Sequence, residues 1–457
     1  MFDDTIAAIA TAIGEAGIGI VRLSGQEAIP IARLVFRPVR GSIDNTLNFQ
    51  GKYGHIIDDR QQIVDEAIVM VMRGPRSYTG ENVVEIQCHG GVVVVQRILQ
   101  LVLEKGARLA EPGEFTKRAF LSGRLDLTQA EAVIDVIRAK TDVSLGLAMQ
   151  QLEGSLSQRI QGLKEKLYDI IVRVEASIDF PEDDVPEVES QEMINILNNI
   201  ILDIEKLIST ADDGMVFREG LKTVIVGKPN VGKSSLLNRL LNENRALVTD
   251  IPGTTRDVIE EVLNLQGIPL RLLDTAGIRE SEDLVEQLGV QRAMELVDQA
   301  DLILHVLDRS AHLSEEDQVL LTKTAKKKRI IIINKTDLPA VWGPEALPIT
   351  KSTPIVEISL ITNDLDPLIR TIISLVQNGF LQRTDQSAII TRTRHKNSLL
   401  HAKEDIEQAL DTLQAGLPID LIAVGLQGAI EHFGEITGET VRENIVDRIF
   451  AQFCIGK

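Results

Sequence analysis

The feature that most restricts how this 457-residue chain can fold is the segment between residues 221 and 377. Short apolar runs that suit buried strands alternate there with longer stretches that suit helices, which predicts a parallel sheet covered by helices. The first of these runs, LKTVIV, leads directly into GKPNVGKS at residues 227–234, and SSLLNRLLN follows with a helical pattern. A strand, a glycine-rich turn and a helix in this order form the context that a phosphate-binding loop requires.

The pattern G-x-x-x-x-G-K-S predicts a role for individual residues of this loop. Its glycines allow backbone N–H groups to turn inward around phosphate oxygens, and Lys233 is expected to neutralise the β and γ oxygens. The hydroxyl of Ser234 is expected to bind magnesium. The pattern alone also arises by chance, so further motifs are needed to support it.

Two later strand ends supply such motifs. RLLDTAG places Asp274 and Gly277 after an apolar run, which predicts a carboxylate near the magnesium shell and a contact to the γ-phosphate. RIIIINKTD ends another run with Asn334, Lys335 and Asp337. A carboxylate such as Asp337 accepts hydrogen bonds from the two N–H donors on the guanine edge, and adenine lacks that donor pair. The three motifs together predict a Ras-like guanine nucleotide-binding domain.

The groups that would drive hydrolysis are indicated less directly. A threonine-rich segment at residues 246–258 suits a first switch loop, although an ordinary solvated loop has a similar composition. Ile278 stands where Ras-like enzymes carry a water-orienting glutamine. Either an arginine finger or a monovalent cation then has to supply positive charge beside the phosphates. The side-chain oxygen of Asn230 and the carbonyls of residues 249–254 are suitable ligands for such a cation. Glu286 is a candidate for orienting water, with a solvated helical glutamate as the alternative.

The order of patterns along the chain predicts a multidomain α/β and all-α protein. Mixed strand and helix patterns, with strands expected at 17–25 and 82–91, come first, and helical patterns flank the nucleotide-binding segment on both sides. An α/β domain inserted into one helical domain explains this order, because the termini of compact domains often lie close together. The predicted boundaries are 1–118 for an N-terminal α/β domain, 119–218 and 379–457 for the two parts of a helical domain, and 219–378 for the inserted P-loop domain.

Charge and cysteine content limit the partners and the compartment. The chain carries 48 Lys and Arg against 67 Asp and Glu, a formal net charge of −19. This acidity opposes broad nucleic-acid binding, yet it leaves room for one local basic patch. Two cysteines, no membrane-length apolar run and no signal-peptide pattern at the N-terminus indicate a soluble cytoplasmic protein.

Long segments of the chain, far more specific than a phosphate loop, resemble the MnmE (TrmE) family of tRNA modification GTPases. They are SYTGENVVEIQCHGG, EPGEFTKRAFLSGRLDLTQAEAV, VEASIDFPEDD, GKPNVGKSSLLN, TDIPGTTRDV, DTAGIR and the terminal FCIGK. The resemblance implies an N-terminal folate-binding-like domain, homodimerisation through that domain, and G domains that meet when GTP and potassium are bound. It also implies a potassium-dependent GTPase that works with MnmG (GidA), a flavin- and NADH-using partner, in a heterotetramer-type complex. Together they would add a carboxymethylaminomethyl group to carbon 5 of the wobble uridine of certain tRNAs.

The resemblance also implies which residues bind each ligand. Magnesium is expected on Ser234 and Thr255, and Glu286 is expected to orient water. Potassium is expected to supply the positive charge that an arginine finger supplies in other GTPases. Potassium is expected on Asn230, Thr249, Ile251 and Thr254. A 5-formyl-tetrahydrofolate or a related folate is expected on Arg22, Glu85, Arg124 and Lys457. The expected GTP-contacting residues are Asn230, Val231, Gly232, Lys233, Ser234, Ser235, Thr249, Asp250, Ile251, Pro252, Gly253, Thr254, Thr255, Asp274, Thr275, Ala276, Gly277, Asn334, Lys335, Asp337 and Ser359.

Some assignments keep their alternatives. Cys454 either acts as a nucleophile or acid–base group beside the folate or is a small buried residue. Ser359 and Leu360 replace the more usual Ser-Ala of the last guanine loop, where the backbone makes most of the base contact. Cys88 and His89 are given no functional role. A GTPase switch in ribosome assembly is the competing interpretation, and it predicts a basic RNA-binding module beside the G domain, which we do not find in the sequence.

Overall fold

A computed structural model of the chain describes residues 3–44, 46–179, 190–244, 261–273, 296–349, 353–362, 365–376, 388–418 and 420–457. The chain divides into two compact units, each assembled from separated segments. The first unit comprises Met1–Ile134, Leu152–Ile171 and Leu426–Lys457, and the second comprises Asp135–Gln151 and Val172–Gly425. In the part of the chain that the structure describes, every helix is too short or too polar to cross a bilayer.

The first unit is built on a seven-stranded mixed sheet. Its strands are β1 (Ile6–Ile9), β2 (Ala16–Ser24), β3 (Phe36–Pro38), β4 (Gln50–Ile57), β5 (Ile63–Met72), β6 (Val83–Gly90) and β7 (Arg108–Leu109). They lie in the order β3-β4-β5-β6-β2-β1-β7, and all neighbours are antiparallel except β1 and β7. The strands expected at 17–25 and 82–91 are confirmed as β2 and β6, which pair with each other.

The helices of the described part of the chain follow the apolar periodicity of the sequence. Their bounds are α1 Ala28–Val35, α2 Val92–Glu104, α3 Glu114–Leu121, α4 Leu127–Arg138, α5 Asp142–Leu152, α6 Ser155–Asp179, α7 Ser190–Ile208, α8 Ala211–Glu219, α9 Lys233–Asn244, α10 Glu315–Lys323, α11 Asp366–Val376, α12 Thr393–Gln414, α13 Asp420–Thr437 and α14 Glu443–Phe450. In α2, Val95, Ile98 and Val102 lie at helical spacing and are buried in one core with residues of the first sheet.

The last residues of the chain are built into the first unit. The backbone N–H of Gly113 donates to the carbonyl of Cys454 at 3.3 Å, and that of Phe115 donates to the carbonyl of Lys457 at 3.2 Å. Gly456 has a φ of 93°, and a Cβ there would lie 2.3 Å from the carbonyl oxygen of Ile9. Glycine is therefore required at position 456 both by the backbone conformation and by the close approach of β1.

The second unit contains a six-stranded sheet. Its strands are β8 (Leu221–Val226), β9 (Glu261–Leu265), β10 (Ile268–Leu272), β11 (Leu302–Asp308), β12 (Arg329–Asn334) and β13 (Ile355–Glu357), in the order β13-β12-β11-β8-β10-β9. The prediction of a parallel sheet is wrong at one edge, where β9 runs antiparallel to β10. Only Gln266 and Gly267, both with positive φ, join these strands, and so short a connection makes a hairpin rather than a parallel crossover.

One carboxylate, that of Asp135, binds both the segment that precedes the six-stranded sheet in the sequence and the segment that follows it. Oδ1 of Asp135 accepts from Nε of Arg218 at 3.0 Å, and Oδ2 accepts from Nη2 of Arg392 at 2.7 Å. Gly214 of α8 packs against the same region, since a Cβ there would lie 2.1 Å from the carbonyl oxygen of Ile390. Asp135 thus joins the segment that enters β8 to the segment that begins α12.

His305 is a buried titratable group in the middle of the second sheet. Its side chain lies in β11 with no exposed surface, and neither ring nitrogen has a hydrogen-bond partner among the described residues. Burial, followed by the nearby positive charge of Arg329, lowers the pKa of His305 to about 4. The neutral imidazole therefore fills this position at neutral pH.

Acidification is expected to destabilise the second unit through His305. Because its folded pKa of about 4 lies below the ordinary value of 6.5, the unfolded chain binds more protons between these two values. The free energy of unfolding should thus fall by about 3 kcal/mol as the pH drops from 6.5 to 4. Thermal unfolding of the wild type and of His305→Leu across this range tests the expectation. The variant should lose less stability on acidification, and an identical pH dependence would contradict the assignment.

Candidate functional sites

The phosphate loop lies between β8 and α9, as the sequence predicts. Nζ of Lys233 donates to the carbonyls of Gly227 and Lys228, each at 2.8 Å, so the ammonium group lies against the loop itself. Asn230 is exposed at the loop tip with a φ of 62°, a left-handed conformation that asparagine tolerates. Ser234 is half-buried in the first turn of α9. Backbone N–H groups at such a helix start attract anions.

Asn334 connects the phosphate loop to the other loops at this edge of the sheet. Its side chain is buried at the end of β12, and Nδ2 donates to the carbonyl of Val231 at 2.7 Å. Oδ1 accepts from the backbone N–H of Leu360 at 3.3 Å. Gly232 has a φ of 108°, and a Cβ there would lie 2.4 Å from Nδ2 of Asn334. The absence of a side chain at position 232 therefore permits this bridge.

The predicted guanine-selecting carboxylate lies beside the same bridge. Asp337 is exposed, and its Oδ1 accepts a hydrogen bond from Oγ of Ser359 at 2.6 Å. Ser359 is buried, so its hydroxyl fixes one edge of the carboxylate while the side chain stays open to solvent. This arrangement presents an acceptor of the type that the N–H pair of guanine requires.

Lys335 follows Asn334 with a φ of 63°, and its Nζ donates to Oδ2 of Asp308 at 2.7 Å. Burial raises the pKa of the Asp308 carboxyl, but hydrogen bonds from Lys335 and Ser310 outweigh it and hold the pKa below its usual value. Asp308 ends β11, next to β12 in the sheet. Sequence reasoning missed Asp308, although its place at the end of an apolar strand beside NKTD was a usable signal.

Several predicted site residues lie outside the described residues. They are Thr249, Asp250, Ile251, Pro252, Gly253, Thr254, Thr255, Asp274, Thr275, Ala276, Gly277 and Glu286. Among the described GTP-site residues, the structure brings Val231, Gly232, Asn334, Ser359 and Asp337 together through direct contacts. Ser235 is exposed on the first turn of α9.

A second candidate site is a cavity of about 390 Å³ in the first unit. This volume lies within the range of small-molecule sites. Its lining residues are Arg22, Tyr78, Arg124, Leu125, Val133, Leu152 and Lys457. Three of the four residues expected to bind folate, Arg22, Arg124 and Lys457, therefore line one cavity. Burial, followed by the positive charge of Arg22, lowers the pKa of Lys457.

Tyr78 organises the cationic wall of this cavity. The guanidinium of Arg124 lies 5.0 Å from the ring centre of Tyr78 and donates to the Tyr78 carbonyl at 2.7 Å. The guanidinium of Arg22 lies 5.7 Å from the same ring centre. Burial raises the pKa of Tyr78, although a hydrogen bond with Thr116 and the two arginines oppose this. Sequence reasoning missed Tyr78, which the segment SYTGENVVE contains.

The fourth expected folate residue has another position. Glu85 lies opposite Arg22 in the pairing of β2 with β6, and its Oε1 accepts from Nε and Nη2 of Arg22 at 2.9 and 2.8 Å. Glu85 therefore contacts the guanidinium of Arg22 but is not one of the residues that line the cavity. Cys454 is exposed, so its interpretation as a buried small residue is wrong, whereas a catalytic role remains a prediction. Cys88 is buried, and burial raises its pKa to about 11.

A phosphate loop, a strand that ends in the motif NKTD and the Asn334 bridge between them indicate the class of the second unit, a P-loop guanine nucleotide-binding domain. The MnmE helical domain model matches residues 127–454, and the model of the GTP-binding protein TrmE N-terminus matches residues 5–124. The tRNA modification GTPase MnmE of Desulforamulus reducens is 48% identical, with 100% of both chains covered. That of Alkaliphilus oremlandii is 51% identical, with 100% of this chain and 99% of the relative covered.

The chain belongs to the MnmE family of tRNA modification GTPases. As a family member it is a GTP hydrolase that takes part in tRNA modification. A solved structure of Era from Aquifex aeolicus with GDP and AlF4⁻ is 27% identical and covers 40% of this chain and 66% of that chain, with a TM-score of 0.26. That TM-score is too low to define a shared fold.

Gly232→Ala should weaken nucleotide binding, because its Cβ would displace the Asn334 bridge and strain a left-handed backbone. We expect the dissociation constant for a fluorescent GDP analogue to rise by about tenfold or more, the equivalent of ~1.4 kcal/mol. Gly416→Ala is the matched control, since Gly416 also has positive φ but a Cβ there would meet nothing within 4 Å. Equal affinities for wild type and Gly232→Ala would contradict the bridge.

Proposed function

We propose that this protein is a potassium-dependent GTPase that acts with MnmG (GidA) to add a carboxymethylaminomethyl group to carbon 5 of the wobble uridine of certain tRNAs. The observation that carries the proposal is the Asn334 bridge, which joins a phosphate loop to a guanine-selecting loop in a chain of the MnmE family. GTP hydrolysis would drive dimerisation of the G domains and switch the complex between states. The reaction would take place in the cytoplasm.

The residues of the phosphate loop support the binding of GTP. Lys233 already lies over the loop and can exchange its two carbonyl acceptors for β and γ phosphate oxygens, which are better acceptors because they are charged. The Asp337 carboxylate, fixed by Ser359, would accept from the guanine edge. An adenine would leave that carboxylate facing an acceptor, which supports selectivity for guanine.

The described donors fit the two metal ions that the family implies. The Ser234 hydroxyl stands at the start of α9, next to Lys233, where an oxygen ligand can reach magnesium beside the phosphates. The exposed amide of Asn230 offers a neutral oxygen at the tip of the loop, which suits an alkali ion. Thr255 would complete the magnesium set, and Thr249, Ile251 and Thr254 the potassium set. A bound potassium ion would supply positive charge against the charge that develops during phosphoryl transfer.

The cavity of the first unit fits a reduced folate. Its two arginines and one lysine offer charge for the carboxylates of such a cofactor, and Tyr78 with Leu125 and Val133 offers apolar surface for a flat ring. Glu85 keeps Arg22 oriented toward the cavity. Bound there, a formyl-tetrahydrofolate would supply a one-carbon unit, and Cys454 would lie on the same terminal segment as Lys457.

The proposed assembly is a homodimer through the N-terminal domains, joined by MnmG in a heterotetramer-type complex. MnmG, which uses flavin and NADH, would bring the redox chemistry and much of the tRNA contact. The net charge of −19 supports such a division, because an acidic chain repels the phosphates of RNA over most of its surface.

GTP hydrolysis by the full chain should be at least about tenfold faster in potassium than in sodium, since one preorganised charge is worth this much or more in a phosphoryl-transfer site. Asn230→Ala should remove the difference while leaving affinity for GDP nearly unchanged. Phosphate release measured in matched potassium and sodium buffers tests both expectations. Equal rates in the two salts would exclude the cation mechanism without affecting the assignment of a GTPase.

The modification itself is tested by mass spectrometry of wobble nucleosides from a strain that lacks the protein. Cells complemented with the wild type should contain the carboxymethylaminomethyl group, and uncomplemented cells should lack it. Arg124→Ala removes one cation from the cavity of the first unit and leaves the residues of the phosphate loop unchanged, so we expect a lower content of the modified nucleoside with normal GTP hydrolysis. Full modification in the deletion strain would favour a GTPase switch without modification chemistry.

A further inference from the structure

One surface of the first unit departs from the acidity of the chain. Residues 33–44, 46–53 and 73–76 carry six basic side chains and one acidic side chain, Asp44, a local formal charge of +5 in a chain of −19. The basic residues are Arg33, Arg37, Arg40, Lys52, Arg73 and Arg76. Such a local surplus is the electrostatic footprint of a polyanion-binding surface.

Hydrogen bonds hold these segments on one surface. Asn48 accepts at Oδ1 from the backbone N–H of Arg73 at 2.7 Å and donates from Nδ2 to the carbonyl of Arg76 at 3.4 Å. Nη2 of Arg73 donates to the carbonyl of Asp44 at 2.6 Å. The backbone N–H of Val39 donates to the carbonyl of Tyr53 at 3.1 Å, which places the end of β3 beside β4. The segments that carry these charges are therefore adjacent in the structure, although they are separate in the sequence.

The cations of these segments differ in their partners. Arg33 pairs with Asp44, and Arg37 donates to the neutral amide of Gln61. Arg40, Lys52 and Arg76 form no ion pair with any described residue. Both arginines are exposed, and Lys52 is half-buried. These three side chains can bind an external anion without breaking a pair within the chain.

The same segments carry an exposed aromatic ring. Phe49 is 58% exposed, and Leu47 beside it is 73% exposed. Phe49 also has a φ of 59°, a costly conformation for a bulky residue, and its backbone N–H donates to the carbonyl of Val71 at 2.9 Å. The turn that leads into β4 thus holds a large ring in solvent, in a conformation that this hydrogen bond stabilises.

We infer that this basic patch, defined as Arg40, Lys52 and Arg76 with Leu47 and Phe49, binds RNA. The inference rests on the proposed function, which makes tRNA the substrate. The cations would contact phosphates, and Phe49 would stack on an unpaired base, because aromatic rings flanked by basic side chains are the common platform for single-stranded segments. Arginine beside the ring strengthens such stacking.

A second copy of the chain is the other occupant to consider. Isologous contacts in a twofold dimer bring a patch against its own equivalent. The basic patch would then face another patch of formal charge +3, which is repulsive, whereas tRNA carries the opposite charge along its whole length. The charge of the surface therefore favours RNA.

The test is the binding of fluorescein-labelled tRNA to the full chain at several potassium chloride concentrations. Arg40→Gln combined with Arg76→Gln should weaken binding roughly 10- to 100-fold near 0.1 M salt and lower the slope of log affinity against log salt by about 2. Phe49→Ala should weaken binding by about fivefold or more, and Phe49→Trp should retain affinity because it retains stacking. Lys326→Gln with Lys328→Gln is the matched control, since both lysines are exposed and lie in the other unit.

Three results would overturn the inference. In the first, the wild type does not bind tRNA. In the second, the control variant with both lysines replaced loses as much tRNA affinity as the patch variants. In the third, the patch variants keep their tRNA affinity but change from dimer to monomer in light scattering. The last result would assign the patch to self-association. Measurements of GTP hydrolysis and of wobble-nucleoside content distinguish a failure of the RNA-binding inference from a failure of the proposed function. Variants that bind and modify tRNA like the wild type would refute the patch alone, whereas a deletion strain with normal wobble nucleosides would refute the function.

Discussion

The nucleotide site depends on one buried side-chain amide. Asn334 donates to the carbonyl of Val231 in the phosphate loop and accepts from the N–H of Leu360, next to the Ser359 that holds the Asp337 carboxylate. Loops do not hold a common geometry by themselves, because their backbone groups can equally bind water. The amide replaces that water in a buried position, where a lost hydrogen bond is costly. The phosphate loop and the loop around Ser359 are therefore fixed relative to each other through one side chain.

Much of this site could be predicted from the sequence, because its residues stand at the ends of apolar strands. The pattern of GKPNVGKS predicted the loop between β8 and α9, and RIIIIN predicted the end of β12. The role of Asn334 could not be predicted, since its bridge depends on which loops the sheet order brings together. The same limit applies to Asp308, whose pairing with Lys335 requires β11 and β12 to be neighbours.

The fold was predictable to a similar degree. Sequence patterns identified β2, β6 and the helical segments on both sides of the nucleotide-binding segment. The antiparallel β9 was missed because a tight turn, Gln266–Gly267, lies inside a segment that otherwise alternates like a parallel sheet. In the first unit, family resemblance indicated Arg22, Arg124 and Lys457 before any geometry was known. The ring of Tyr78 between the arginines, and the pairing of Glu85 with Arg22, required the structure because each contact joins residues distant in sequence.

The helices around the second sheet have a practical consequence for dissecting the protein. Leu147 of α5, Phe217 of α8 and Ile389 belong to the same hydrophobic core as the strands of the nucleotide domain. Gly267 of the β9–β10 turn lies so close to α5 that a Cβ there would be 2.6 Å from Val143. A fragment cut at residues 219 and 378 would leave these side chains behind and expose the surfaces they cover. Truncation for biophysical work should therefore retain α5 and α8, or accept a protein that melts at lower temperature than its parent.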